Sequence, residues 1–160
     1  MCHYRWHYEE NLDAASKRFA KLFVPKAVQK IFGLRTLILN KASKTFKQRM
    51  SKRLWVIGSN EVTGISIEES FKNLIRLLDK HLERRPYIFG NRPSIADFAL
   101  WGHIYNANND PTGFEFIQNH TPKLNDWIDR MIDPKEKGGF EAWHELKPTI
   151  LTLIKEEVSE

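Results

Sequence analysis

The hydrophobic residues of this chain recur every three or four positions, which is the spacing of amphipathic helices, and strand-type alternation is weak throughout. The first such stripe runs from Met1 to Phe23, with no capping signal ahead of it. Further helical patterns cover residues 27–39, 40–57, 66–82, 94–105, 122–131 and 146–158, with a short helical turn at residues 114–118. The pattern predicts an all-α fold.

The stretch from Tyr87 to Tyr105 carries the strongest local signal. Ser94 stands three residues before Asp97, the spacing of a capping box, in which each side chain bonds the backbone amide of the other residue. The residues that follow are apolar on almost every side of the helix, which is typical of a buried helix. We therefore expect a helical bundle around this buried central helix. The Asp97 cap should stabilise the helix by about 0.5–2 kcal/mol.

Other segments carry weaker boundary signals. Ser66 and Glu69 have capping-box spacing ahead of an amphipathic stretch, and Thr121 followed by Pro122 predicts another helix start. In residues 40–57 the basic side chains are expected outside. The apolar side chains expected to face inward there are Phe46, Met50, Leu54 and Trp55.

At 160 residues the chain is long enough to bury a core, and we expect a single helical domain over residues 1–160. No run is long and apolar enough to span a membrane, so we expect no membrane partner. The N-terminus lacks the apolar core and cleavage site of a secretory signal. Cys2 is the only cysteine, which excludes an internal disulfide. These features favour a cytoplasmic location.

The net charge of +5 is unevenly distributed, because the segment from Ala14 to Asn60 holds twelve Lys and Arg residues and no acid. Such a segment indicates either a surface for nucleic acids or other anions, or a solvated face that meets an acidic surface of the same protein. No nucleic-acid-binding motif accompanies the charge. We favour the second interpretation and do not expect a nucleic-acid partner.

Few residues have the arrangement of a reactive site. His3 and His7 are four positions apart, a spacing that can bind zinc, but no third ligand is evident and we favour histidines at a helix surface or a domain interface. Nothing near Cys2 would lower the pKa of its thiol and make it a nucleophile. Ser94 and Asp97 are assigned to capping. The sequence therefore predicts no catalytic residue and no metal site.

The motif FGNRPSIADFALWG, with its Ser94–Asp97 capping box, resembles the C-terminal helical domain of the glutathione transferase superfamily. The residues Asp110-Pro111-Thr112 and the segment from Trp127 to Arg130, followed by Asp133-Pro134, are also similar to bacterial members. The resemblance covers most of the chain and implies a glutathione transferase C-terminal-like helical bundle.

The resemblance also implies a second domain. In this superfamily a thioredoxin-like N-terminal domain binds the co-substrate glutathione and supplies the Tyr, Ser or Cys that activates its thiol. No βαβ pattern is present in these 160 residues, and the first helix has no start signal. We therefore expect a C-terminal fragment of a two-domain parent. This chain would hold no cofactor of its own, and its partner would be the thioredoxin-like domain of the same parent.

By its position in the family, this domain would supply an apolar wall for an electrophilic substrate. The residues that the resemblance places on that wall are Tyr4, His7, Tyr8, Trp101 and Tyr105. An ordinary core role is an equal alternative for Trp101. The fragment alone would then be inactive.

The alternative function is a helical module for protein–protein interaction, because similar domains act as docking scaffolds in translation and membrane-import complexes. The family resemblance also implies a homodimer. A further expectation is that Tyr4, Trp6 and Tyr8 leave an apolar surface, through which the fragment self-associates.

Overall fold

The computed structural model describes residues 2–29 and 35–158 of the chain. In these ranges it contains nine α-helices, one 3-10 turn and no strand beyond two isolated bridges, Tyr87–Gly90 and Gly90–Phe140. The helices are α1 (Cys2–His7), α2 (Glu9–Phe23), α3 (Lys26–Gln29), α4 (Arg35–Ser51), α5 (Gly64–Leu82), α6 (Ile95–Asn108), α7 (Pro111–His120), α8 (Pro122–Arg130) and α9 (Trp143–Val158), and the 3-10 turn is Leu54–Ile57. The predicted all-α class is confirmed.

The predicted first helix is two helices. Tyr8 has an extended backbone, with φ −75° and ψ 130°, and it separates α1 from α2. The predicted helix over residues 27–39 lies partly outside the described residues, and its last part belongs to α4. Helical periodicity continues through Tyr8, which is why the pattern merged α1 and α2 into one predicted helix.

The contacts of the chain group it into two compact units, residues 1–67 with 110–112, and residues 68–109 with 113–160. In the first unit, Trp6, Leu12 and Ala15 are buried together. The Trp6 ring lies 5.9 Å from the ring of Phe19 and 6.0 Å from that of Phe46. The expectation that Trp6 is exposed at the N-terminus is therefore wrong, because α2 and α4 supply the apolar side chains that cover it.

Polar side chains also fix the first unit. The buried carboxylate of Asp110 accepts from Arg5 Nε at 2.8 Å and from Arg18 Nη2 at 2.5 Å. Lys47 Nζ lies 2.9 Å from a Glu9 oxygen and 2.7 Å from an Asp13 oxygen, and these contacts connect α4 to α2. Arg18 and Lys47, both in the basic segment, thus pair with acids that lie outside it in the sequence.

Trp55 does not face inward as predicted. It is 76% exposed on the 3-10 turn, whereas Phe46, Met50 and Leu54 pack against the core of the first unit. The change from α-helix to 3-10 turn after Ser51 alters the angular spacing of side chains, so the helical periodicity does not continue through residue 55.

The second unit contains most of α5 and of α7, together with α6, α8 and α9. Its fully buried side chains include Ile75 and Leu78 of α5 and Leu124, Trp127 and Ile128 of α8. The predicted start of α8, with Thr121 before it and Pro122 as its first residue, is confirmed, although Thr121 Oγ1 donates to the Ile117 carbonyl oxygen and does not cap the helix. The predicted capping box of Ser66 and Glu69 at the start of α5 is wrong, because this helix already begins at Gly64.

The central helix α6 is buried on one face only. Asp97, Ile104 and Ala107 are buried, but Ile95 is 87% and Phe98 is 51% exposed. The expectation of a helix buried on all sides is therefore wrong. An apolar sequence identifies side chains whose burial would be favourable. How many of them are buried depends on how many other helices pack against α6. No helix in the described residues has the length and apolar character needed to cross a bilayer.

Candidate functional site

The predicted substrate-contacting residues of the first unit lie at the junction of α1 and α2. His3 and His7 stack with ring centroids 4.7 Å apart, and the Tyr8 ring lies edge-on to that of His7 at 5.3 Å. His7 is exposed, Tyr8 is half-buried and His3 is buried. The side chain of Tyr4 lies outside the part of the chain that the structure describes. His7 and Tyr8 therefore form the accessible part of this ring cluster.

His3 has a structural contact of its own. Its Nδ1 lies 2.7 Å from Ser59 Oγ, and both side chains are buried. Within the described residues, no group of three or more His, Cys, Asp and Glu side chains has the arrangement of a metal site. Ring packing between His3 and His7, together with the contact between His3 and Ser59, fixes the positions of these two imidazoles.

The predicted residues of the second unit lie one turn apart on α6. The Trp101 and Tyr105 rings are 5.0 Å apart, and Trp101 Nε1 donates to the Ile128 carbonyl oxygen at 3.2 Å. Trp101 is half-buried and Tyr105 is 39% exposed. Because the hydrogen bond fixes the indole, this pair presents an ordered aromatic surface on one side of α6.

Asp97 is a buried junction between three segments of the second unit. Its Oδ2 accepts from the Ser94 amide at 2.9 Å and from Ser94 Oγ at 2.6 Å, as part of a complete capping box. Its Oδ1 accepts from the Ile88 amide at 2.8 Å and from Trp127 Nε1 at 3.0 Å. All accepting positions of the carboxylate are directed at protein donors, and Ser94 and Asp97 form the capping box that their spacing predicts.

A second buried polar network surrounds His81, and the sequence patterns did not indicate it. His81 Nε2 lies 2.8 Å from the Ile88 carbonyl oxygen, so Nε2 carries the proton and Nδ1 accepts from Arg85 Nη1 at 3.0 Å. The Arg85 guanidinium also binds Glu141 at 2.8 Å. Burial of the imidazole, together with the nearby Arg85 charge, lowers the pKa of His81 below 6.5, although the bond to Ile88 opposes this shift.

The first unit also contains an apolar cavity of about 410 Å³, which the sequence patterns did not indicate. Its lining combines five apolar side chains with one guanidinium: Trp6, Met50, Leu54, Val56, Ile57 and Arg53. The only sequence signal for it is the run of apolar residues from Leu54 to Ile57. That run cannot be distinguished by pattern from an ordinary buried turn.

The second unit has a smaller cavity of about 280 Å³ of different character. It is lined mainly by polar side chains, including those of Arg130, Asp133, Lys135 and Lys137. Arg130 is already bound, because its Nη1 donates to the Pro86 carbonyl oxygen at 2.7 Å. This arrangement orders the loop after α8 against the loop that precedes α6.

Comparison with known proteins gives one family. The family model described as "Glutathione S-transferase, C-terminal domain" matches residues 38–130, which include the capping box and helices α5 to α8. No match to the chain was found among curated proteins or among solved structures. The matched range covers more than half of the 160 residues and begins after α3.

Proposed function

Because the chain belongs to the glutathione S-transferase C-terminal domain family, we propose that it is the hydrophobic-substrate-binding domain of a glutathione transferase-like protein. The observation that carries the proposal is the family match, which includes the whole central helix with its capping box. Its parent would include a thioredoxin-like domain that binds glutathione and activates the thiol.

Two accessible aromatic surfaces support a substrate-contacting role. In the first unit the surface consists of His7 and Tyr8, and in the second it consists of Trp101 and Tyr105. Aromatic rings of this kind bind flat apolar electrophiles by offset stacking, with about 0.5–1.5 kcal/mol per ring pair beyond area burial. In this proposal Tyr4, His7 and Tyr8 of the first unit and Trp101 and Tyr105 of the second unit are substrate-contacting residues, and the reacting thiolate comes from the other domain.

The proposal assigns no catalytic residue to this chain. The buried carboxylate and hydroxyl of the central helix are occupied by structural hydrogen bonds, and His81 is fully buried. The chain alone should therefore bind an apolar electrophile without reacting it with glutathione. A homodimer and a cytoplasmic location belong to the same proposal.

The test measures binding and turnover with the full chain. Quenching of tryptophan fluorescence by an aryl halide should give saturable binding, and Tyr105→Ala should raise the Kd by about twofold to tenfold because one ring contact is lost. Phe114→Ala is the matched control, because Phe114 is also an exposed ring in the second unit, at 49%. With glutathione added, conjugation should proceed at the uncatalysed rate.

Two results would contradict the proposal. One is turnover by the chain alone above the uncatalysed rate, which would place the thiol-activating group in these residues. The other is unchanged affinity in both Tyr105→Ala and Tyr8→Ala, since each removes a ring from one of the two proposed surfaces.

A helical module for protein–protein interaction is the second candidate function. It is favoured by Ile95 and Phe98, which are exposed on α6 although both are large and apolar. Exposed apolar clusters on soluble domains commonly bind other proteins. The double variant Ile95→Ser, Phe98→Ser should then abolish partner binding and leave aryl halide binding unchanged. The enzyme-domain proposal, in contrast, predicts no defined protein ligand for that surface.

A further inference from the structure

The 3-10 turn of the first unit exposes three consecutive large apolar side chains. Trp55 is 76%, Val56 is 64% and Ile57 is 49% exposed. The turn is closed by backbone hydrogen bonds, from the Gly58 amide to the Trp55 carbonyl oxygen at 3.1 Å and from the Ser59 amide to the Leu54 carbonyl oxygen at 3.1 Å. These side chains are therefore held outward by an ordered backbone.

Gly58 makes this arrangement possible. Its φ of +73° lies in the left-handed region, which favours glycine and ends the turn. Leu54, the first residue of the turn, packs against the core of the first unit. The turn is thus attached through Leu54 and closed at Gly58. Trp55 extends into solvent, while Val56 and Ile57 lie at the rim of the apolar cavity and remain largely exposed.

Exposed positive charge directly precedes these apolar side chains. Arg49, Lys52 and Arg53 are all exposed. In the described part of the chain, none of the three forms an ion pair with a carboxylate. The nearby acid in the following loop is Glu61, so this end of the first unit has an excess of positive charge.

The positive charge extends along α4. Lys41 and Lys44 are exposed and lie three residues apart on α4, which places them on one side of the helix, and the exposed Lys52 directly follows the last residue of α4. This stripe leads toward the 3-10 turn. A row of cations that ends in exposed tryptophan and aliphatic side chains combines electrostatic attraction with apolar insertion.

We propose that this Trp55 surface, formed by Arg49, Lys52, Arg53, Trp55, Val56 and Ile57, docks the protein on an anionic lipid membrane. Tryptophan is enriched at the membrane–water boundary, where its apolar ring and its N–H group are both accommodated. Val56 and Ile57 insert into the acyl boundary beside it, and the cations attract acidic headgroups. The contact is peripheral, so it does not require a spanning helix, and it revises the expectation that no membrane partner exists.

The aliphatic side chains distinguish a membrane from a nucleic acid as the occupant. Single-stranded nucleic acids bind by base stacking on aromatic rings and by phosphate contacts with cations. Trp55 and the three cations fit that mode, but exposed Val56 and Ile57 offer no ring to a base. In a bilayer both gain an apolar environment, which is the reason that lipid is favoured here.

The test is cosedimentation of the full chain with vesicles of phosphatidylcholine alone and with phosphatidylserine added. Because each Lys or Arg near an anionic surface raises partitioning about fivefold, the chain should bind the acidic vesicles more than about tenfold more strongly. Binding should weaken as salt rises, because ions screen the charges. Arg49→Gln and Lys52→Gln should each reduce binding about fivefold.

Trp55→Ser should weaken binding to the acidic vesicles and abolish fluorescence quenching by brominated lipid. Trp143→Ser is the matched control, because Trp143 is also exposed, at 55%, but it lies in the second unit beside Glu145. Lys123→Gln, on α8, is the corresponding charge control. Far-ultraviolet circular dichroism verifies that each variant retains its helices, as expected for exposed positions.

Three outcomes would overturn the proposal. The first is equal binding, or none, to the two kinds of vesicle. The second is a loss of binding in Trp143→Ser that matches or exceeds the loss in Trp55→Ser. The third is binding to single-stranded DNA that competes fully with the acidic vesicles and depends on Trp55, which would identify the surface as a nucleic-acid site.

Discussion

Replacing Asp97 by Ala should destabilise the second unit far more than loss of a helix cap would. The substitution removes the acceptor of two buried donors, the Ile88 amide and Trp127 Nε1. Each buried donor left without a partner costs about 1–3 kcal/mol. The capping interaction with Ser94 contributes about 0.5–2 kcal/mol more.

Together these losses lower the free energy of unfolding by about 3–6 kcal/mol once neighbouring groups relax. That is a large part of the about 5–15 kcal/mol that stabilises a typical domain. It also exceeds the value expected from the sequence, since the pattern indicated only the cap. Ser94→Ala is the matched control and should cost about 0.5–2 kcal/mol, because Ile88 and Trp127 keep their acceptor.

The assay is urea unfolding followed by circular dichroism at the helical band, with the midpoint and slope fitted for each variant. Trp127→Phe completes a double-mutant cycle with Asp97→Ala. Asp97→Ala should cost less in the Trp127→Phe background, because one of the two orphaned donors is already absent. If Asp97→Ala costs no more than Ser94→Ala, the reasoning that places a junction at this carboxylate is refuted.

Two further predictions concern the second unit. Because the pKa of His81 is lowered in the folded state, its contribution to stability is complete above about pH 6.5 and is lost as pH falls through the folded value. Urea unfolding from about pH 7.5 to about pH 5.5 should show this loss of stability. In His81→Gln the free energy of unfolding should depend less on pH over the same range. Gly113→Ala should destabilise the second unit, because its Cβ would overlap the Ala107 carbonyl oxygen, whereas Gly102→Ala, whose Cβ would meet no atom within 4 Å, should stabilise α6 by up to about 1 kcal/mol. Equal melting temperatures for the two Ala variants would contradict the packing argument.

The sequence alone determined the class of the fold and the start of the central helix. A capping box depends on two residues three positions apart, so Ser94 and Asp97 could be assigned without knowledge of any other element. The same holds for Thr121 and Pro122 at the start of α8. These features are local, because the groups that interact are adjacent in the chain.

Only the tertiary structure decided which residues share a contact. The donors Ile88 and Trp127 are 9 and 30 residues from Asp97, and no periodicity relates them. Trp6 and Trp55 are equally apolar, yet one is 6% and the other 76% exposed. Burial depends on where other helices pack, which is a property of the assembled units, whereas a helix pattern reports only the spacing along one element.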